Sequence, residues 1–231
     1  EPPDVLDMGN SGTSARLLTG LLSGQTFFSV LTGDASLRRR PMGRVVDPLR
    51  KMGAHIVGRS DASRLPLAIS PATLRGMEYR LPMASAQVKS ALLLAGLRAE
   101  GDVRLTEPSA TRDHTERMLS FFGVTIHRAG NTVTMSGRQE PEGREVDVPG
   151  DISSAAFFIA GAAMTPGSDL WLRAVGINAT RTGVLEVLRQ MGASIEMDHL
   201  REAGGEPVAD LRVRYSPLKG VRIGGEVIPR L

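Results

Sequence analysis

Leu188-Arg189-Gln190-Met191-Gly192-Ala193-Ser194-Ile195 has two relatives earlier in the same chain. They are Leu49-Arg50-Lys51-Met52-Gly53-Ala54-His55-Ile56 and Leu119-Ser120-Phe121-Phe122-Gly123-Val124-Thr125-Ile126. The shared pattern is L-x-x-[MF]-G-[AV]-x-I. The glycines Gly53, Gly123 and Gly192 stand about 70 residues apart, which marks an internal repeat. Val184, Leu185, Leu188 and Met191 fall on one face of a helix, and Val45, Val46, Leu49 and Met52 repeat that spacing. Each glycine sits where a helix ends in a left-handed cap. Strand-forming residues follow at once, reaching Val57, His127 and Met197.

A second helix is predicted ahead of each copy, over residues 12–22, 86–97 and 153–164. These segments are rich in small residues and Leu and nearly apolar all round, the pattern of a buried helix. Strands are predicted between the two helices at 26–31, 103–106 and 169–173. Further strands follow the glycines at 65–70, 132–136 and 211–215. Pro48 lies inside the first amphipathic helix and predicts a kink or a late start there. Units of this length suggest duplicated α/β subdomains. The polar loop 137–143 places the domain boundary after residue 147, giving partial domains 1–147 and 148–231. Residues 146–150 (VDVPG) are expected to be a strand leading from one to the other.

The bulk properties exclude several classes. With 231 residues and 41% hydrophobic content, the chain can build a packed core. No apolar run is long enough to span a bilayer as a helix, so no membrane partner is expected. There is no cysteine, which removes disulfides, thiolate metal ligands and a thiol nucleophile and fits a cytoplasmic protein. The 28 basic residues are set against 25 acidic ones, and only six Phe, two Tyr and one Trp are present; this is a poor nucleic-acid surface. The four His lie at 55, 114, 127 and 199 without metal-ligand spacing, so no metal is expected. The chain begins Glu1-Pro2-Pro3-Asp4 with no initiator Met, and its start is read as a cut.

Anion-binding features stand out against this background. Gly9-Asn10-Ser11-Gly12-Thr13 opens the first apolar helix, where small residues and free amides suit either an anion or an ordinary cap. Ser85-Ala86-Gln87 opens the second in the same way. Ser85 suits an N-cap, and Gln87 adds amide donors. Lys89, one turn on, is either a further contact or a solvated side chain. Of Arg38-Arg39-Arg40, at least one is expected in solvent and one facing an anion. Arg112 projects from a loop before the second amphipathic helix, with Asp113 as its expected N-cap. Arg181, its counterpart in the third unit, is expected to form a structural salt bridge.

Six segments carry a more specific signal: residues 6–16 (LDMGNSGTSAR), 33–43 (GDASLRRRPMG), 83–90 (MASAQVKS), 111–118 (TRDHTERM), 146–154 (VDVPGDISS) and 178–183 (NATRTG). In them the chain resembles the 5-enolpyruvylshikimate-3-phosphate synthase family, in its bacterial ASAQVKS variety. The likeness runs over essentially the whole chain. It implies an α/β fold of repeated βαβαββ units, the inside-out barrel of enolpyruvyl transferases, with three of six units present. It implies enolpyruvyl transfer from phosphoenolpyruvate to the 5-hydroxyl of shikimate 3-phosphate in the shikimate pathway, toward chorismate and the aromatic amino acids, with no cofactor. Gly12, Arg40 and Gln87 would bind phosphoenolpyruvate. Ser85, Ala86, Gln87 and Arg112 would bind shikimate 3-phosphate. The family's acid–base residues would lie outside this chain, so no catalytic residue is assigned within it. A full-length member is expected to be monomeric. The isolated segment is expected to be inactive and to self-associate through exposed apolar faces. The alternatives are a non-catalytic anion-binding module of this fold, or the sister transferase acting on UDP-N-acetylglucosamine, which generally uses a loop Cys absent here.

Overall fold

The structure is a computed structural model that describes residues 1–230. Internal contacts divide the chain into two compact units. One comprises residues 1–111 and 123–142, the other 112–122 and 143–231.

The first unit holds two four-stranded mixed sheets built to one plan. The chain runs β1 (Leu6–Asp7), α1 (Gly12–Ser23), β2 (Ser29–Thr32), a 3-10 turn (Leu37–Arg39), α2 (Gly43–Lys51), β3 (His55–Arg59) and β4 (Arg64–Ser70). Their sheet has the order β1-β2-β4-β3, with β1 parallel to β2 and the other pairs antiparallel. The second pass has β5 (Glu78–Arg80), α3 (Ala86–Gly96), β6 (Val103–Thr106), then α4 (His114–Phe121), β7 (Ile126–Ala129) and β8 (Thr132–Met135). The order β5-β6-β8-β7 repeats the first, again with one parallel pair. Each pass is βαβαββ, although α4 groups with the second unit. In β4, Leu65, Leu67 and Ile69 are buried and alternate with more exposed neighbours, as one covered face requires.

The glycine joints follow from hydrogen-bond accounting. The amide of Gly53 donates to Arg50 O, and that of Ala54 reaches back to Leu49 O. Gly192 and Ala193 make the same pair of bonds to Arg189 and Leu188. These bonds satisfy carbonyls that a helix end leaves open, and they need a residue at positive φ. Gly53, Gly123 and Gly192 have φ of 102°, 82° and 100°. Pro48 does not delay the start of α2, which runs from Gly43 to Lys51 with Pro48 inside it. The ring forfeits the single amide bond that would run back to Arg44 O, and the helix continues past it, with Met52 N donating to Pro48 O at 3.1 Å.

Helices α1 and α3 meet at Gly20. A Cβ there would lie 2.0 Å from Ala91 O, so the two backbones touch where the side chain is missing. The polar residues on this buried side of α1 bond backward along their own helix: Thr19 Oγ1 to Ala15 O at 2.6 Å and Ser23 Oγ to Thr19 O at 2.7 Å.

The second unit contains α4, α5 (Ile152–Met164), β9 (Asp169–Gly176), α6 (Gly183–Gln190), β10 (Ser194–Ala203), β11 (Glu206–Arg214) and a 3-10 segment (Gly225–Arg230). Its antiparallel sheet has the order β10-β11-β9. The strand expected at 146–150 is reduced to one parallel bridge, Gly150 to Val175, at the place that β1 takes beside β2. Pro149 has no amide to extend that ladder. The buried-helix expectation also holds unevenly. In α3 most residues are buried, whereas α5 leaves Phe157 83% and Phe158 63% exposed. One face of α5 covers Ala209, Leu211 and Val213 of the sheet, and no described helix covers the face that bears Phe157.

Replacing Gly20 by Ala should cost about 3 kcal/mol, because two backbones must separate. Gly192→Ala should cost about 1 kcal/mol, the strain of a left-handed residue. Urea denaturation of each variant measures both, and a Gly20→Ala cost no larger than that of Gly192→Ala would contradict the close approach.

Candidate functional site

The loop 9–13 turns into α1 through Gly9, at φ 53°, and Ser11, whose hydroxyl accepts from Ser14 N at 3.1 Å. Around Gly12 the first unit gathers side chains from four segments. Arg16, one turn into α1, donates from Nη1 to Gly12 O at 3.3 Å and to Gln87 Oε1 at 2.9 Å. Its Nη2 donates to Pro41 O at 3.1 Å. Gln87, at the start of α3, donates in turn from Nε2 to Thr13 Oγ1 at 2.8 Å. Arg40 follows the 3-10 turn and donates to Asn10 Oδ1. Asn10 Nδ2 is tied to Asp34 Oδ2 at 2.7 Å. Asp34 also accepts from Leu37 N at 2.7 Å, and the Asn10 and Leu37 hydrogen bonds hold its carboxyl below the usual range.

Thus Gly12, Arg40 and Gln87 share one place. A Cβ on Gly12 would stand 2.8 Å from Arg16 Nη1 and 3.2 Å from Arg40 Nη1. Arg38 and Arg39 are exposed, as expected of at least one member of the triplet. Arg16 is a member that sequence reading missed. Burial lowers its pKa, and the positive charges of Arg44 and Arg40 lower it further. Two guanidinium groups, those of Arg16 and Arg40, therefore converge on one glycine. Such a group favours an anion carrying several oxygens, held by forked N–H pairs.

Ser85 caps α3, its hydroxyl accepting from Val88 N at 3.4 Å, and Ala86 is the first helical residue. The amides of Ala86 and Gln87 belong to the first turn, whose N–H groups have no partner within the helix. Lys89 is neither a ligand contact nor solvated. It is fully buried, with Nζ 3.0 Å from Glu107 Oε2.

In the second unit Arg112 is exposed and precedes α4. Partial desolvation lowers its pKa, as does the nearby charge of Arg181. Asp113 does not cap α4 with its side chain, contrary to expectation. Its carboxylate accepts instead from Arg117 Nε at 3.0 Å and Asn178 Nδ2 at 2.8 Å. Arg181 makes the expected salt bridge, 3.2 Å to Asp151, which caps α5 through Ser153 N and Ser154 N. Burial pushes the Asp151 carboxyl up, but those hydrogen bonds and Arg181 outweigh it and leave it lowered. A cavity of about 330 Å³ opens beside them, lined by His114, Met118, Val148, Asn178, Arg181 and Glu206. His114 Nδ1 lies 2.7 Å from Glu206 Oε1.

Gly12→Ala tests the guanidinium cluster. The atoms in its way are the far ends of flexible side chains. Stability should change by less than about 1 kcal/mol, while the affinity for inorganic phosphate falls several-fold. Calorimetric titration beside urea denaturation checks both, and unchanged affinity would dissociate Gly12 from the anion site.

The sequence model of one family, EPSP synthase (3-phosphoshikimate 1-carboxyvinyltransferase), matches residues 1–230. A 3-phosphoshikimate 1-carboxyvinyltransferase of Desulforudis audaxviator is 61% identical over 231 residues, all of this chain and 54% of the relative. One of Pelobacter propionicus is 59% identical over 230 residues, covering 100% of this chain and 53% of the relative. Among solved structures, an EPSP synthase from Acinetobacter baumannii superposes with a TM-score of 0.89 at 53% identity, over 100% of this chain and 52% of that one. The chain spans about half the length of the curated relatives it matches. The repeated βαβαββ plan, the glycine joints and these matches agree: the chain belongs to the EPSP synthase family.

Proposed function

We propose that this chain is the anion-binding half of an enzyme that transfers the enolpyruvyl group of phosphoenolpyruvate to shikimate 3-phosphate. The convergence of Arg16, Arg40 and Gln87 on Gly12 carries the reading. In the reaction the 5-hydroxyl oxygen adds to C2 of phosphoenolpyruvate and C3 takes a proton. The hydroxyl gives its proton to a base in that step, and phosphate then leaves from the tetrahedral intermediate as C3 loses a proton and the C2–C3 double bond re-forms. Both substrates are polyanions, and the site supplies fixed positive charge where phosphate charge must be held. Gly12, Arg40 and Gln87 hold phosphoenolpyruvate; Ser85, Ala86, Gln87 and Arg112 hold shikimate 3-phosphate. The acid and base come from segments outside these 231 residues. Arg16 joins this set as the group that orients Gln87. The domain boundary is assigned at 147/148, and the location to the cytoplasm, in keeping with phosphorylated substrates and a chain without cysteine.

The test joins this chain to the flanking segments of a close relative and follows phosphate release. The joined protein should turn over, and its Arg40→Met variant should lose about a hundredfold or more in kcat/KM. The chain alone should release no phosphate. Turnover by the chain alone, or an Arg40→Met variant with full activity, would overturn the assignment.

We also propose that the isolated chain pairs with a second copy through the open face of α5. Phe157, Phe158 and Met164 are exposed there, and α1 and α3 are an internal example of two such helices covering each other. Light scattering should find a dimer, and Phe157→Glu should return a monomer. A monomeric parent chain at micromolar concentration would refute the pairing.

A further inference from the structure

Lys89 is the only charged residue of α3, and its side chain has no solvent exposure. Its partner Glu107 is 1% exposed, and the two charges meet at 3.0 Å. Withdrawing both from water costs several kcal/mol per ion, and an apolar pair of similar size would often be as stable or more so. The pair is therefore poorly explained as a source of stability, and its position offers a better reason. The amide of Lys89 donates to Ser85 O at 3.1 Å, so the residue closes the turn that carries Ala86 and Gln87. Glu107 directly follows β6, and its amide is fixed to Asn131 O at 2.9 Å. Its other carboxylate oxygen accepts from Thr111 Oγ1, on the residue just before Arg112.

We infer that Lys89 and Glu107 are positioning residues for substrate. The ion pair braces the start of α3 against the end of β6. It thereby sets where Ser85, Ala86 and Gln87 present their donors, and Thr111 passes the same constraint to the loop that leads to Arg112. Neither charge touches substrate. Gln87 is two residues from Lys89 and is held at its far end by Arg16 and Thr13, so a shift in the helix start loosens both of those bonds. The substrate named here rests on the proposed function; the bracing does not.

Two variants separate positioning from folding. Lys89→Met with Glu107→Gln removes both charges without stranding either one, and Thr111→Val cuts only the link to the loop. Both should unfold cooperatively near the wild-type midpoint. In the double variant, amide hydrogen exchange at Val88 and at residue 89, whose amides bond to Ser85, should quicken at least about tenfold. Affinity for shikimate 3-phosphate, read in the protein joined to its flanking segments, should drop by about tenfold or more, since small misplacements of binding groups are costly. Thr111→Val should lose affinity several-fold while leaving exchange in α3 unchanged. Wild-type exchange and affinity in the double variant would overturn the inference. If the double variant fails to fold, full affinity in Thr111→Val would overturn the link to the loop, and reduced affinity would sustain it. A wild-type protein that binds no shikimate 3-phosphate would refute the proposed function, and the exchange measurement would still decide the bracing.

Discussion

Guanidinium groups repel one another, and this fold holds two of them, Arg16 and Arg40, against a single glycine. Arg16 feels the charge of both Arg44 and Arg40, and burial adds to the cost of its own charge. The arrangement persists because each group is tethered by something rigid. Arg16 is held by carbonyl and amide oxygens from three segments, and Arg40 by Asn10, which Asp34 orients in turn. The absence of a side chain at residue 12 leaves open the space between the guanidinium tips. The site is thus charged and oriented in advance, the condition under which fixed charges act most strongly on an anion.

The repeat supplies the scaffold for that arrangement. Each βαβαββ pass ends its amphipathic helix in a glycine at positive φ and turns at once into an antiparallel pair. The first helix of each pass starts beside a short parallel strand or, in the third pass, beside a single bridge. Helix starts therefore recur at equivalent places, and α1 and α3 bring two of them to one site. One joint copied three times places chemistry that differs from copy to copy: Gly12 and Arg16 in the first, Gln87 in the second, and the Asp151–Arg181 pair in the third.

Much of this was legible from residue pattern. The glycine joints, the helices and most strands follow from periodicity and caps, and the helix-opening motifs pointed to Gly12 and Gln87. The misses have physical causes. The strands β1 and β5, of two and three residues, are too short to leave an alternation signal. Residues 146–150 alternate like a strand, but Pro149 lacks the donor to make one. Arg16 was passed over because α1 reads as wholly buried, although its position four residues after Gly12 places it on the same helix face. Lys89 could not be interpreted without Glu107, which is distant in sequence and joined to it only by the fold. The side chain of Asp113 found better partners in Arg117 and Asn178 than in the amides of its own helix.

Gly20 lies two turns along α1 from Gly12, and Ala91 a little over one turn along α3 from Gln87. The place where the two backbones touch thus acts as a fulcrum for two levers whose tips carry the site. A helix transmits a tilt at its middle as a larger displacement at its end. A residue that never meets a ligand consequently sets the aperture of the site. Variation at Gly20 would therefore register in recognition as well as in stability, and a survey confined to charged residues would not find it.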